Sequence, residues 1–104
     1  MELLTAYLEE GPPRVLHVEG EIDLATVDEF RAALEGALSG GSTALVDMGE
    51  VTFIDAGGLR VIMQVAESLN GGGPMTLVNA TVVSRLLKVV GMTDLPSIQF
   101  REGA

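Results

Sequence analysis

The sequence predicts an α/β fold, a mainly parallel sheet with helices packed against it. Two observations carry this reading. Short apolar runs of strand length alternate with stretches whose apolar residues recur at helical spacing, and glycine-rich or polar breaks separate them. Strands that alternate with helices of about 10–14 residues are joined by right-handed crossovers, which leave neighbouring strands parallel. At 104 residues, 47% hydrophobic, the chain has the size of one domain spanning residues 1–104. By surface scaling it buries roughly 65% of the area its unfolded form exposes, enough for a core without metals or disulfides.

In chain order, Glu9-Glu10-Gly11-Pro12-Pro13 breaks a first apolar stretch, and Arg14-Val15-Leu16-His17-Val18-Glu19 alternates as a strand ending at Gly20. The pair suggests an N-terminal hairpin. Thr26 with Glu29 three residues on predicts a capping box. Val27, Phe30, Ala33/Leu34 and Ala37/Leu38 then mark one face of a helix that Gly40-Gly41 stops. Thr43-Ala44-Leu45-Val46-Asp47-Met48 is nearly continuous in apolar character, the pattern of a strand covered on both faces. After Val51-Thr52-Phe53-Ile54, also β-prone, Asp55-Ala56-Gly57-Gly58 opens a second helix with Leu59, Ile62/Met63, Ala66 and Leu69 on its apolar face. Asn70 and Gly71-Gly72-Gly73-Pro74 end it, Met75-Thr76-Leu77-Val78 reads as a strand, and Val82/Val83, Leu86/Leu87 and Val90 predict a third helix closed by Gly91. Ser97-Ile98-Gln99-Phe100 is a candidate edge strand.

Composition narrows the function. Fifteen acidic residues against five Arg and one Lys give a net charge of −9, which repels phosphate backbones and anionic membranes. No direct nucleic-acid partner is expected, and with no Trp, one Tyr and three Phe there are few platforms on which bases stack. The absence of cysteine removes disulfides, thiol catalysis and thiolate metal sites, and fits a reducing compartment. Met1-Glu2-Leu3-Leu4 lacks the basic start of a signal peptide, and no apolar run approaches the ~20 residues of a spanning helix. A cytoplasmic chain without membrane insertion is the expectation.

Candidate chemistry centres on Asp55-Ala56-Gly57-Gly58, where a strand turns straight into a helix. Helix N-termini expose free N–H groups, so Asp55 serves as an N-cap at the least, with the glycines allowing a tight turn. Glu21, Asp23 and Asp47 could join Asp55 around Mg²⁺ as in aspartyl-phosphate receivers. That chemistry needs a nearby lysine, and the only one, Lys88, lies deep in the third helical stretch. His17, the sole histidine, reads as a satisfied or solvated strand residue, and Met48, Met63, Met75 and Met92 as core filler. Gly71-Gly72-Gly73 follows a helix and carries no Gly-Lys-Ser/Thr, so it is no nucleotide loop. No nucleophile, base and oxyanion donors assemble, so neither an enzyme nor a cofactor nor a metal is expected.

Two segments taken together resemble the STAS domain family of the anti-sigma factor antagonist type. Val18-Glu19-Gly20-Glu21-Ile22-Asp23-Leu24-Ala25-Thr26 is similar to the family's G-E-[IL]-D corner. Val51-Thr52-Phe53-Ile54-Asp55-Ala56-Gly57-Gly58-Leu59-Arg60-Val61 is similar to its F-[IM]-D-S-[SA]-G-[LI] loop, and Ser84-Arg85-Leu86-Leu87 through Gly91-Met92 looks like its third helix. The resemblance implies a four- or five-stranded mixed sheet with helices mainly on one face. It also implies a partner, an anti-sigma factor of histidine-kinase-like ATPase fold, whose capture frees a sigma factor. That partner phosphorylates a serine just after the loop aspartate, and the added charge and bulk switch the docking face off.

Here the serine position is Ala56, followed by Gly57, so neither place offers a hydroxyl. The chain is then expected to match the binding-competent state and to escape that switch. Three explanations stand open: an antagonist controlled by expression, partner redox state or a ligand; a STAS subunit of a lipid-transport or other signalling complex; or a deliberate Ser→Ala replacement. The resemblance places partner binding on Asp23, Leu24, Thr26, Asp55, Ala56, Gly57, Gly58, Leu59 and Arg60. Leu24 and Arg60 read equally well as a packing residue and a solvated charge.

Overall fold

In a computed structural model, which describes residues 3–39, 44–69, 74–92 and 95–103, the alternating patterns become five strands and three helices. In chain order these are β1 (Leu4–Glu9), β2 (Arg14–Ile22), α1 (Val27–Leu38), β3 (Ala44–Ile54), α2 (Ala56–Glu67), β4 (Met75–Val78), α3 (Thr81–Val90) and β5 (Ile98–Arg101). The strands form one sheet in the order β1-β2-β3-β4-β5. The β1–β2 hairpin is antiparallel, and the pairs β2–β3, β3–β4 and β4–β5 are parallel. The sheet is therefore mixed.

All three helices cover the same face. Side chains alternate along a strand, so Leu16 and Val18 of β2, Val46 and Met48 of β3, and Met75 and Leu77 of β4 point one way into a single buried cluster. Into the same cluster α1 sends Phe30 and Leu34, α2 sends Ile62 and Val65, and α3 sends Val83 and Leu87. Burial of these faces, at about 25 cal/mol per Å² of apolar surface, is the main force holding helices to sheet. Gly91 adopts the left-handed conformation (φ 78°) and closes α3 as its position predicts.

The structure revises several expectations. β3 alternates buried Val46 and Met48 with half-buried Leu45 and Asp47, so it is covered on one face, not both. Its apolar character comes from the central place of the strand, which shields even outward residues. Val51–Ile54 is the end of this same strand, reached through two register shifts against β2. Gly20 does not end β2 either: it sits within the strand at φ 109°, where a Cβ would lie 2.3 Å from the Leu3 carbonyl oxygen. The predicted stops at Gly40-Gly41 and Asn70 to Gly73, and the strand start at Thr43, lie outside the described residues.

Candidate functional site

Two segments meet at the C-terminal ends of β2 and β3. Ile22 pairs with Ile54 across the strands, and the Asp55 N–H donates to the Ile22 carbonyl at 3.2 Å. The β2–α1 corner and the β3–α2 loop, about thirty residues apart in sequence, are thereby fixed side by side.

The corner is built on Thr26. Its hydroxyl donates to the Glu21 carbonyl at 2.8 Å and accepts from the Asp23 N–H at 3.0 Å, while its side chain is almost wholly buried. The capping box predicted for Thr26 and Glu29 does not form: Thr26 makes no side-chain cap, because its hydroxyl is spent on the turn. The Asp23 carboxylate closes a second small ring by accepting from the Ala25 N–H at 3.0 Å. These bonds push Leu24 outward, 91% exposed, which excludes a packing role for it.

In the loop, Asp55 is extended and caps α2, its Oδ1 accepting from the Gly58 N–H at 3.0 Å. The cap leaves Ala56 and Gly57, the first residues of the helix, exposed. Gly58 faces inward, and a Cβ there would lie 2.6 Å from Ile22 Cγ2 and 2.8 Å from Ile54 Cγ1. Only glycine lets α2 start this close to both strands. Leu59 is buried in the core cluster and Arg60 is exposed.

The nominated residues thus divide by exposure. Asp23 and Asp55 are half-buried, Leu24, Ala56, Gly57 and Arg60 are exposed, and Thr26, Gly58 and Leu59 are buried. Further accessible residues adjoin them. Phe53 pairs with Glu21 next to the site and is 48% exposed. In sequence it reads as strand core; the register shift before it, which single-residue hydropathy does not encode, turns it outward. Thr52 is exposed too, its hydroxyl donating to the Gly20 carbonyl at 3.3 Å. Asp47, eight residues before Asp55, lies beside His17 in mid-sheet instead of joining Asp55. Such a surface combines charge with exposed apolar side chains.

A family model described as "Mlab, STAS domain" matches residues 6–98. No curated protein matches the chain. Among solved structures, an anti-sigma factor antagonist from Mycobacterium paratuberculosis is similar at TM-score 0.78 and 20% identity, over 92% of this chain and 85% of that one. The anti-sigma factor antagonist SpoIIAA in its unphosphorylated form is similar at TM-score 0.67 and 22% identity, over 96% and 89%. An anti-sigma factor antagonist STAS domain from Rhodobacter sphaeroides is similar at TM-score 0.59 and 20% identity, over 78% and 91%. At these identities the likeness is one of fold.

Proposed function

Because this chain belongs to the STAS domain family, we propose that it is an anti-sigma factor antagonist whose docking face is not switched by phosphorylation at the usual loop position. Its partner is an anti-sigma factor of histidine-kinase-like ATPase fold, and its capture releases a sigma factor for transcription. One observation carries the reading. The first residue of α2, exposed beside the β2–α1 corner and directly after the capping Asp55, is an alanine.

Docking falls to Asp23, Leu24, Asp55, Ala56, Gly57 and Arg60, with Phe53 added, while Thr26, Gly58 and Leu59 hold the surface in place. Leu24 and Phe53 supply exposed apolar area, the component that dominates interface energy. Asp23 and Asp55 supply charge for basic groups of the partner, and the absence of a side chain at Gly57 permits close approach. Neither Ala56 nor Gly57 has a hydroxyl to phosphorylate, the Thr26 hydroxyl is buried, and the exposed hydroxyl of Thr52 precedes the loop, on β3, where it donates to the Gly20 carbonyl. The protein neither catalyses nor uses a cofactor in this role, and works in the cytoplasm. Among the described residues no helix is long and apolar enough to cross a membrane.

The test captures partners from native lysate on the native protein and on an Ala56→Glu variant, followed by mass spectrometry. The native form retains a kinase-fold anti-sigma protein and the glutamate variant loses it. An Ala56→Ser variant incubated with that protein and ATP gains one phosphate on the new serine. If both forms retain a transporter ATPase, or neither retains a kinase-fold protein, the reading fails. The alternative, a STAS subunit of a lipid-transport or other signalling complex, has its own support in the Mlab description of the matching family model.

A further inference from the structure

Among the described residues the helices leave the second face of the sheet uncovered, and charge is sorted between the two sides. Residues opposite each other on paired strands share a face. The registers therefore place Glu9, Glu19, Glu21, Asp47 and Glu50 together on the uncovered one. Of the cations, Arg31, Arg60, Arg85 and Lys88 belong to helices, and Arg14 donates to the Ala37 carbonyl of α1. Only Arg101, on the edge strand β5, shares the acidic face.

Two details mark this face. Glu19 and Glu50 are direct cross-strand partners, and like charges placed so repel. The register shift beside them opens a cleft of about 130 Å³ lined by His17, Glu19, Asp47, Glu50 and Asn79. Next to the cleft the face carries aromatic and aliphatic side chains. Tyr7 stacks on the His17 ring at 4.7 Å between centroids, His17 Nε2 lies 2.7 Å from Glu9 Oε1, and Val15 and Leu45 pair alongside.

We propose that the uncovered sheet face is a second docking surface, separate from the β2–α1 and β3–α2 corner, for a protein partner that presents lysine or arginine around an apolar centre. A cation seated between Glu19 and Glu50 would turn their repulsion into attraction, and a second copy of this chain, itself strongly acidic, is a poor occupant. Charge steers the encounter and the Tyr7, Val15 and Leu45 patch supplies the contact area.

The test titrates the protein with a short peptide alternating lysine and leucine and follows backbone amide shifts by NMR. Shifts fall on β1, β2 and β3 around His17 and Glu50, and affinity drops about tenfold for Glu19→Gln/Glu50→Gln. It holds for Glu29→Gln/Glu67→Gln, which removes equal charge from the helical side. The strand variant also unfolds at a higher temperature than the native protein, so weaker binding is not misfolding. The proposal is overturned if both double variants lose affinity equally, if a lysine–serine peptide binds as tightly as lysine–leucine, if the shifts fall on the corner, or if sedimentation shows a dimer covering the face. Each readout is independent of whether a kinase-fold partner binds the corner.

Discussion

Gly58 concentrates the fit of the site into one missing methyl group. Adding it sets carbon against the side chains of Ile22 and Ile54 at distances that real Cβ atoms do not occupy. Both isoleucines are buried, so the loop has little room to yield. Gly58→Ala is expected to destabilise the protein by about 1–3 kcal/mol, read as a lower denaturant midpoint at unchanged slope. Of the site's residues, the sequence discloses the capping Asp55 and the glycines plainly, because cap and turn chemistry is local. It does not disclose which neighbours look outward. Leu24 and Phe53 are apolar letters indistinguishable from core, and the turn around Thr26 and the register shift before Phe53 decide their exposure. Thr26 misleads for the same reason: the capping spacing is present, but a tertiary bond to the Glu21 carbonyl outcompetes the cap.

At the scale of the element, helices and strands follow from periodicity because each has one buried side. The three helices and the hairpin lie where apolar spacing puts them. The length of β3 is not legible: Gly49-Glu50 separates two β-prone runs in sequence, and only the pairing with β2 shows that one strand continues through them. α1 contains a glycine its packing does not require. Gly36 is exposed, and a Cβ there meets nothing within 4 Å. Gly36→Ala is expected to stabilise the protein by about 0.5–1 kcal/mol by restricting the unfolded chain and favouring helix. A thermal melt checks this, and partner capture stays unchanged, since Gly36 lies near the far end of α1 from the corner.

For the whole molecule, the sorting of charge by face means that repulsion is concentrated. At about 0.01 M salt the screening length is about 30 Å, comparable to the molecule's 34 Å longest extent, and at about 0.1 M it falls to about 10 Å. Raising salt across this range is expected to lift the melting temperature by about 1–4 °C, and Glu19→Gln/Glu50→Gln to blunt that gain. The strand order has a consequence of another kind. Each strand pairs with the one before it in the chain, so no strand has to be inserted between two that already exist. As the polypeptide leaves the ribosome, N-terminal parts first, the hairpin can form, and β3, β4 and β5 can be laid down against a finished edge as each emerges. The helix that must cover each addition is made before the next strand arrives, so a nascent chain never has to hold a gap open while it waits for a segment not yet translated.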